Sequence, residues 1–223
     1  MMNNYRTIPY QPIRFSEEEM MLRARSFFEL MQKRRSVRHF SERPVPQGIL
    51  DYVLQTAGSA PSGANRQPWT FCLVTDAELK RRIRQAAEEE EYKAYHGGMP
   101  QEWLNDLSYL GTDWHKEFLE TAPALIVVFR KPYDIDEQGQ HKNYYVQESV
   151  GLACGFLLAA IQYCGLVALT HTPSPMNFLQ GILQRAEWEK PYLLIPVGYP
   201  ADDAEVPDIH RKNLSEIVTR FGP

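Results

Sequence analysis

The stretch VGLACGFLLAAIQYCGLVAL, residues 150–169, decides between a membrane fold and a water-soluble one. It contains Gly151-x-x-x-Gly155, a spacing found where transmembrane helices pack together. Gln162 interrupts the apolar run, and Gly165 is typical of the residue that ends a helix. The helix before this glycine would have about fifteen residues, fewer than the roughly 20 that a bilayer requires. A helix that is apolar on all sides is instead predicted to lie in a protein core or at a subunit interface.

The elements around this helix alternate between helices and strands. Capping signals, apolar periodicity and glycine or proline punctuation predict their bounds. Helices are predicted at 16–32, 46–58, 76–95, 102–110 and 113–120, and strands at 69–75, 124–129, 166–169 and 193–197. The polar segment 130–142 is predicted to be a surface excursion. Apolar strands separated by helices predict an α+β fold, built as an α/β sandwich.

Length and charge restrict the classes of function. The 223 residues, 43% of them hydrophobic, suffice for one domain spanning 1–223, and no linker or repeat divides the chain. A net charge of -4 argues against a nucleic-acid partner, which requires a basic face. The polar extension 1–15 has no apolar core segment, so neither a signal peptide nor a membrane anchor is predicted. We therefore expect a cytoplasmic protein.

The three cysteines, Cys72, Cys154 and Cys164, each lie in an apolar run. They lack the paired spacing of a metal site, so no metal is predicted. Buried thiols in a reducing compartment are the expected state. A catalytic thiol is disfavoured because no positive charge is adjacent to any of them in sequence.

A basic cluster, Arg34-Arg35-Ser36-Val37-Arg38, follows the first predicted helix. Its guanidinium groups and hydroxyl can converge on a phosphate, because the planar arginine fork matches phosphate oxygens in pairs. The same residues would also suit a solvated basic helix end, where cations offset the helix dipole. The spacing alone favours neither interpretation.

A tight loop, Pro61-Ser62-Gly63-Ala64, precedes the first strand. Small residues beside proline expose backbone N–H groups, which can approach a planar ligand closely. An ordinary connection between a helix and a strand would have the same composition, and without further information it is the favoured interpretation.

Thr170-His171-Thr172 stands at the carboxyl end of a predicted strand, the place where ligands of open α/β sheets tend to bind. The two hydroxyls could hydrogen-bond to a ring nitrogen. Thr172 could equally cap the next helix, and a lone histidine is more often a hydrogen-bonded structural residue.

An acidic run at 88–91 is followed by Tyr95 and, farther along the chain, by Lys116. Glu91 and Tyr95 are four residues apart on a predicted helix and therefore share a face. A free amino acid presents an ammonium and a carboxylate, for which Glu91 and Lys116 supply the opposite charges. The alternative is a solvated acidic face, with Lys116 paired to Glu120 on its own helix. Composition alone favours this alternative.

These motifs and two later ones, PVGYP at 196–200 and His210-Arg211-Lys212, together resemble the nitroreductase superfamily of FMN enzymes. Within it the chain is similar to the iodotyrosine deiodinases, from about residue 27 to about residue 217. The segments that carry the resemblance are KRRSVR, TAGSAPSGA, QPWTF, EEEE, KEFLETAP, GLACGFLLAAIQ, PVGYP and VPDIHRK.

The resemblance implies a nitroreductase-like fold with a central mixed sheet, a homodimer, a bound FMN and reductive removal of halogen from halotyrosines. It assigns cofactor binding to Arg34, Arg35, Ser36, Arg38, Pro61, Ser62, Gly63, Thr170, His171, Thr172 and Arg211. It assigns the halotyrosine zwitterion to Ala64, Glu91, Tyr95 and Lys116, with a lid at about 88–116. Catalytic roles fall to Thr172, whose hydroxyl would lie near flavin N5, and to the Ala64 N–H, which would meet the substrate phenolate.

The sequence departs from the vertebrate members of that family, which carry threonine where His171 stands, and the resemblance leaves the role of this residue open. Vertebrate members also have a membrane anchor, whereas a soluble, bacterial relative is expected here. Two other functions remain open: a broad NAD(P)H-dependent nitro- or quinone reductase, and a non-catalytic flavin carrier. Reductive dehalogenation also requires an electron donor, which the sequence does not identify.

Overall fold

The computed structural model describes residues 6–222, so the first residues of the predicted extension 1–15 lie outside the described part. The chain divides into two compact units, of which one ends at Arg34 and the other begins at Arg35. The N-terminal unit contains helix α1 (Glu17–Gln32), and the side chain of Ser16 accepts a hydrogen bond from the Glu19 N–H at its start. The predicted cap is confirmed, and the single domain stays a prediction.

The second unit contains the sheet. Its helices are α2 (Gln47–Gly58), α3 (Ala77–Lys93), α4 (Gln101–Ser108), α5 (Phe118–Thr121), α6 (Val146–Tyr163), α7 (Phe178–Ile182) and α8 (Leu214–Ile217). Its strands are β1 (Trp69–Val74), β2 (Ala124–Arg130), β3 (Tyr133–Asp136), β4 (Gly139–Lys142), β5 (Val167–Ala168) and β6 (Lys190–Gly198). The sheet has the order β1-β2-β6-β5 with antiparallel neighbours, while β3 and β4 form a separate hairpin. A parallel bridge from Ser36 to Ala168 makes the sheet mixed, as predicted.

Strand β2 shows why the sheet is covered on both faces. Its side chains alternate between two apolar clusters, because successive residues of a strand point to opposite sides. Ile126 and Val128 pack in the cluster that contains buried residues of α2 and α6. Val127 and Phe129 pack in the cluster that contains buried residues of α3 and α5. The helix–sheet–helix layering confirms the predicted α/β sandwich.

Helix α6 spans 18 residues, longer than the predicted about fifteen, because it begins before residue 150. By length and composition alone it could cross a membrane, a test that core helices of soluble proteins also pass. One face lies in the core, as predicted, with Val150, Cys154, Leu157 and Ile161 buried. The other face is exposed in the single chain and carries Leu152, Phe156 and Tyr163.

Two smaller predictions have different outcomes. The segment 130–142 is a surface excursion as predicted, and within it Tyr133–Asp136 pairs in register with Gly139–Lys142. Cys164 is exposed rather than buried, because it follows the last turn of α6. Cys154 is a buried thiol as predicted, and burial raises its pKa to about 12, which keeps it protonated and unreactive.

The predicted lid contains less regular helix than expected. Helix α3 ends at Lys93 and gives way to one π-helical turn (Ala94–Gly98), where Gly97 takes a φ of 128°. The helix predicted at 113–120 is restricted to α5, because the Asp113 carboxylate accepts the His115 N–H at 2.8 Å and holds a turn there.

Candidate active site

A cavity of about 420 Å³ opens where the edge of the sheet meets the segment 91–116. Its volume lies in the range of small-molecule sites, roughly 300–1,000 Å³. It brings together eight of the residues singled out in the sequence: Ser36, Arg38, Glu91, Tyr95, Lys116, Thr170, His171 and Thr172. Four separate parts of the sequence therefore converge on one site.

The sheet edge positions the first group of these residues. Ser36 pairs with Ala168 of β5, which places the basic cluster beside the strand that leads to Thr170. His171 then bridges to β6, because its N–H donates to the Leu194 carbonyl at 2.9 Å and its carbonyl accepts from the Leu194 N–H at 3.0 Å. Main-chain hydrogen bonds thus fix the backbone of the histidine at the floor of the cavity.

Glu91 and Lys116 form a buried ion pair in this cavity. Glu91 Oε2 lies 3.4 Å from Lys116 Nζ, and their side chains are only 10% and 3% exposed. Burial raises the pKa of Glu91 while Lys116 opposes the rise, and burial lowers the pKa of Lys116 while Glu91 opposes the fall. The alternative pairing of Lys116 with Glu120 was wrong, since Glu120 pairs with Arg84 at 3.2 Å.

The Lys116 side chain is held by the turn before it. Its ammonium donates to the Asp113 carbonyl and, at 3.4 Å, to Thr112 Oγ1. The Tyr95 hydroxyl donates to the carbonyl of the same Thr112 at 3.3 Å, and Lys116 Nζ lies 5.6 Å from the Tyr95 ring centroid. The three residues predicted to bind a zwitterion are therefore neighbours.

Glu88 supports this arrangement, and the sequence did not reveal it. Its Oε1 accepts the backbone N–H of Lys116 at 2.7 Å and the Arg84 Nε–H at 2.8 Å. The acidic run was interpreted as either a solvated face or a single ligand contact. One of its carboxylates instead ties the Lys116 backbone to α3. The only signal was the helical spacing that places Arg84 and Glu88 on one face.

His171 has an unusual position for a polar side chain. The residue is 8% exposed, and its Nε2 makes no hydrogen bond with any residue between 6 and 222. That nitrogen lies 3.9 Å from Glu91 Oε1, and the Phe118 ring meets the imidazole edge to face at 5.5 Å. Burial lowers the pKa of His171 to about 3, with Lys116 and Arg38 adding to the fall, so the ring is neutral at physiological pH. The interpretation as a hydrogen-bonded structural histidine does not describe this nitrogen.

Only part of the basic cluster reaches the cavity. Arg38 lines it half-buried, makes no ion pair within the described range 6–222, and has a pKa lowered by burial. Arg35 donates to the Pro207 carbonyl. Ser36, Arg38 and Pro207 also line a second cavity of about 260 Å³. Arg34 belongs to the N-terminal unit and Arg211 is exposed, so their roles in binding stay predictions.

The loop 61–64 lies elsewhere in the single chain. In the described chain it does not line the 420 Å³ cavity, and the Gly63 N–H donates to Ser149 Oγ in α6 at 3.2 Å. Ala64 has a φ of 50°, a left-handed conformation that costs an alanine about 1 kcal/mol. A Cβ on Gly63 would lie 2.7 Å from the Tyr144 carbonyl oxygen, so only glycine allows this approach.

The apolar wall of the cavity was not anticipated as part of the site. Helix α4 contributes Trp103 and Leu107, whose spacing of four residues places them on one face. Phe118 and Leu169 add to the same wall. The cavity thus combines an apolar surface suited to an aromatic ring with a few polar groups at one end, the usual composition of a small-molecule site.

Comparison with known proteins agrees with this arrangement. The model of the nitroreductase family matches residues 31–199. An iodotyrosine deiodinase from Haliscomenobacter hydrossis is 59% identical over 215 residues, which cover 96% of this chain and 97% of the relative. This chain belongs to the iodotyrosine deiodinases of the nitroreductase family. The deiodinase from Hydra vulgaris is 48% identical over 96% of this chain and 79% of its own length.

A solved structure of this family also matches. It is an oxidised iodotyrosine deiodinase bound to FMN and 3-iodo-L-tyrosine, with a TM-score of 0.75 and 32% identity over 88% of this chain and 99% of the other. The predicted fold and family are thereby confirmed. The individual contacts assigned to residues of this chain stay predictions.

Proposed function

We propose that this chain is an FMN-dependent reductase that removes the halogen from halotyrosines and releases tyrosine and halide. The observation that carries the proposal is the buried Glu91–Lys116 pair, flanked by Tyr95, inside an apolar cavity. A pair of opposite charges is what the zwitterion of a free amino acid requires. Flat nitro compounds and quinones carry no ammonium and carboxylate for such a pair to bind.

Binding exchanges one buried ion pair for two. The substrate ammonium pairs with Glu91 and the substrate carboxylate with Lys116, while the Tyr95 hydroxyl assists. Without a ligand the two buried charges pair with each other at 3.4 Å. The substrate therefore competes with an internal partner, and a ligand with only one charge leaves a buried residue unpaired.

The residues of the cavity suit the phosphate and ring of FMN. Arg38 offers a half-buried guanidinium that makes no ion pair with residues 6–222, and Ser36 supplies a hydroxyl beside it. Arg34, Arg35 and Arg211 would complete the phosphate site. Thr170, His171 and Thr172 would face the ring, with the Thr172 hydroxyl near N5. When bound, reduced FMN supplies two electrons.

The protein orients the substrate and excludes water. The aryl carbon–halogen bond breaks with uptake of two electrons and one proton, and the halogen leaves as halide. The Ala64 N–H stabilises the phenolate by hydrogen bonding. Trp103 and Leu107 cover the ring and keep solvent from the reacting carbon. In this proposal no side chain needs to act as a general base.

A homodimer would complete the site. The loop 61–64 is assigned to the cofactor and substrate but does not line the cavity of the described chain, so a second copy must supply it. The exposed apolar face of α6, with Leu152 and Phe156, suits that contact because exposed patches of this kind mark interfaces. Sedimentation of flavin-loaded protein should show a dimer at micromolar concentration, and a stable flavin-loaded monomer would refute this arrangement.

The decisive experiment is stopped-flow oxidation of the reduced flavoprotein by 3-iodotyrosine. A deiodinase should oxidise the flavin rapidly with this substrate and release iodide in equal amount. A broad nitro- or quinone reductase would react with nitroaromatics and quinones but not with iodotyrosine, and a flavin carrier would react with none of them. We also propose a cytoplasmic location, where a donor still to be identified reduces the flavin.

A further inference from the structure

The proposed contacts to the substrate zwitterion and to the flavin ring leave the buried Nε2 of His171 without a hydrogen-bond partner among residues 6–222. This nitrogen lies 3.9 Å from Glu91 Oε1, whereas Lys116 Nζ lies 3.4 Å from Glu91 Oε2. The two oxygens of the Glu91 carboxylate therefore have different neighbours: a cation lies near Oε2, and the buried ring nitrogen of His171 lies near Oε1.

We propose that His171 is a positioning residue for substrate recognition: its Nε2–H donates to Glu91 and holds that carboxylate in place for the substrate ammonium. The inference rests on the proposed function, which assigns the ammonium to Glu91. His171 thereby selects for α-amino ligands through Glu91 and does not contact the halogenated ring.

The need for such a donor follows from the exchange of partners. When the substrate carboxylate takes Lys116, Glu91 loses the cation that opposes the effect of burial on its charge. A buried carboxylate is stable only when its oxygens are paired or hydrogen-bonded. The ammonium supplies one partner, and a movement of less than about 1 Å brings Glu91 Oε1 within hydrogen-bond distance of His171 Nε2.

Histidine is suited to this role because it is neutral here. Burial and the nearby cations Lys116 and Arg38 keep the pKa of His171 far below physiological pH. A neutral ring supplies one N–H without adding a positive charge, so it does not compete with the substrate ammonium for Glu91. The bridge to Leu194 fixes its backbone, which limits the conformational cost of the contact.

The test compares three ligands on the oxidised flavoprotein, which binds them without turnover. They are 3-iodotyrosine, iodotyramine without the carboxylate, and 3-(3-iodo-4-hydroxyphenyl)propanoate without the ammonium. Dissociation constants are measured by quenching of flavin fluorescence. His171→Leu should raise the dissociation constants of the two amines by about 10-fold or more. The propanoate should change by less than about twofold, because it has no ammonium to replace Lys116 and the Glu91 carboxylate therefore keeps that lysine as its partner. His171→Gln, which keeps an N–H donor, should recover most of the loss.

Flavin content and melting temperature are measured for each variant, and His171→Ala replaces the leucine variant if that protein does not retain its flavin. Equal weakening of all three ligands, or loss of flavin by both the leucine and the alanine variant, would overturn the proposal and restrict His171 to its proposed contact with the flavin ring. Unchanged constants for the amines would overturn it as well. A failure of the proposed function is distinguishable, because the wild-type protein would then bind iodotyrosine no better than the propanoate.

Discussion

Glu91→Gln and Lys116→Ala are expected to erase most of the preference for iodotyrosine over a simple iodophenol. A site built around buried polar groups rejects a ligand that leaves them unpaired by up to about 10⁴–10⁵, whereas a missing apolar atom costs only about 10–200-fold. Either variant removes one buried charge, so the penalty for a ligand without a zwitterion falls. Rates of reduced-flavin oxidation by the two compounds give the ratio directly.

The matched controls lie on α3, the helix that contains Glu91. Glu89→Gln and Lys93→Ala change exposed residues of α3 close to Glu91, and both should leave the ratio as it is in the wild-type protein. If iodophenol and iodotyrosine oxidise the reduced flavin of the wild-type protein equally fast, the Glu91–Lys116 pair does not select the substrate. A broad reductase is then the better description of the protein.

Arg38→Ala is expected to weaken FMN binding by about 100-fold or more, so that purified protein loses most of its yellow colour. An arginine fork makes two charge-assisted hydrogen bonds to a phosphate, each contributing roughly 1.5–3 kcal/mol. Burial has already removed part of the water from this guanidinium, as the lowered pKa of Arg38 indicates. Flavin absorbance after gel filtration and a fluorescence titration with FMN measure the loss.

Arg82→Ala is the control for that variant, because Arg82 is an exposed arginine of α3 outside the cavity. It should keep full flavin content. If Arg38→Ala retains flavin at the wild-type level, the phosphate of FMN binds elsewhere. If the wild-type protein does not bind added FMN, the whole functional proposal is refuted.

Local signals in the sequence predicted most of the fold. The Ser16 side chain caps α1, and α2 ends at Gly58 as its glycine indicated. Apolar strands separated by helices predicted the sandwich. Pro46 is the cap of α2 rather than its first residue, a shift of one position. Such signals depend only on the nearest few residues, so they can be interpreted without knowledge of the tertiary structure.

The pairing of charges in the site could not be predicted in this way. Four residues separate Lys116 from Glu120, and local spacing therefore favoured that pair. The chain instead turns at Gly97 and returns through Thr112, which places Lys116 against Glu91. The resemblance to a family placed both residues in one site but did not predict their contact, because no local rule gives the path of the segment between them.

The loop 61–64 shows a second limit of sequence reasoning. Its composition predicted a backbone close to a ligand, and the left-handed φ of Ala64 confirms an unusual main chain. Its position away from the cavity of the described chain could not be predicted from composition, because composition does not give the place of a loop in the tertiary structure.

Glu88 has a consequence for the thermodynamics of binding. By accepting the Lys116 N–H, it closes the base of a loop that begins after α3 and returns at residue 116. The loop therefore loses conformational entropy when the protein folds. Ligand binding then causes little further loss, because the loop is already ordered. Affinity in this cavity is therefore set partly by a carboxylate that does not line it, through the preorganisation of its neighbours.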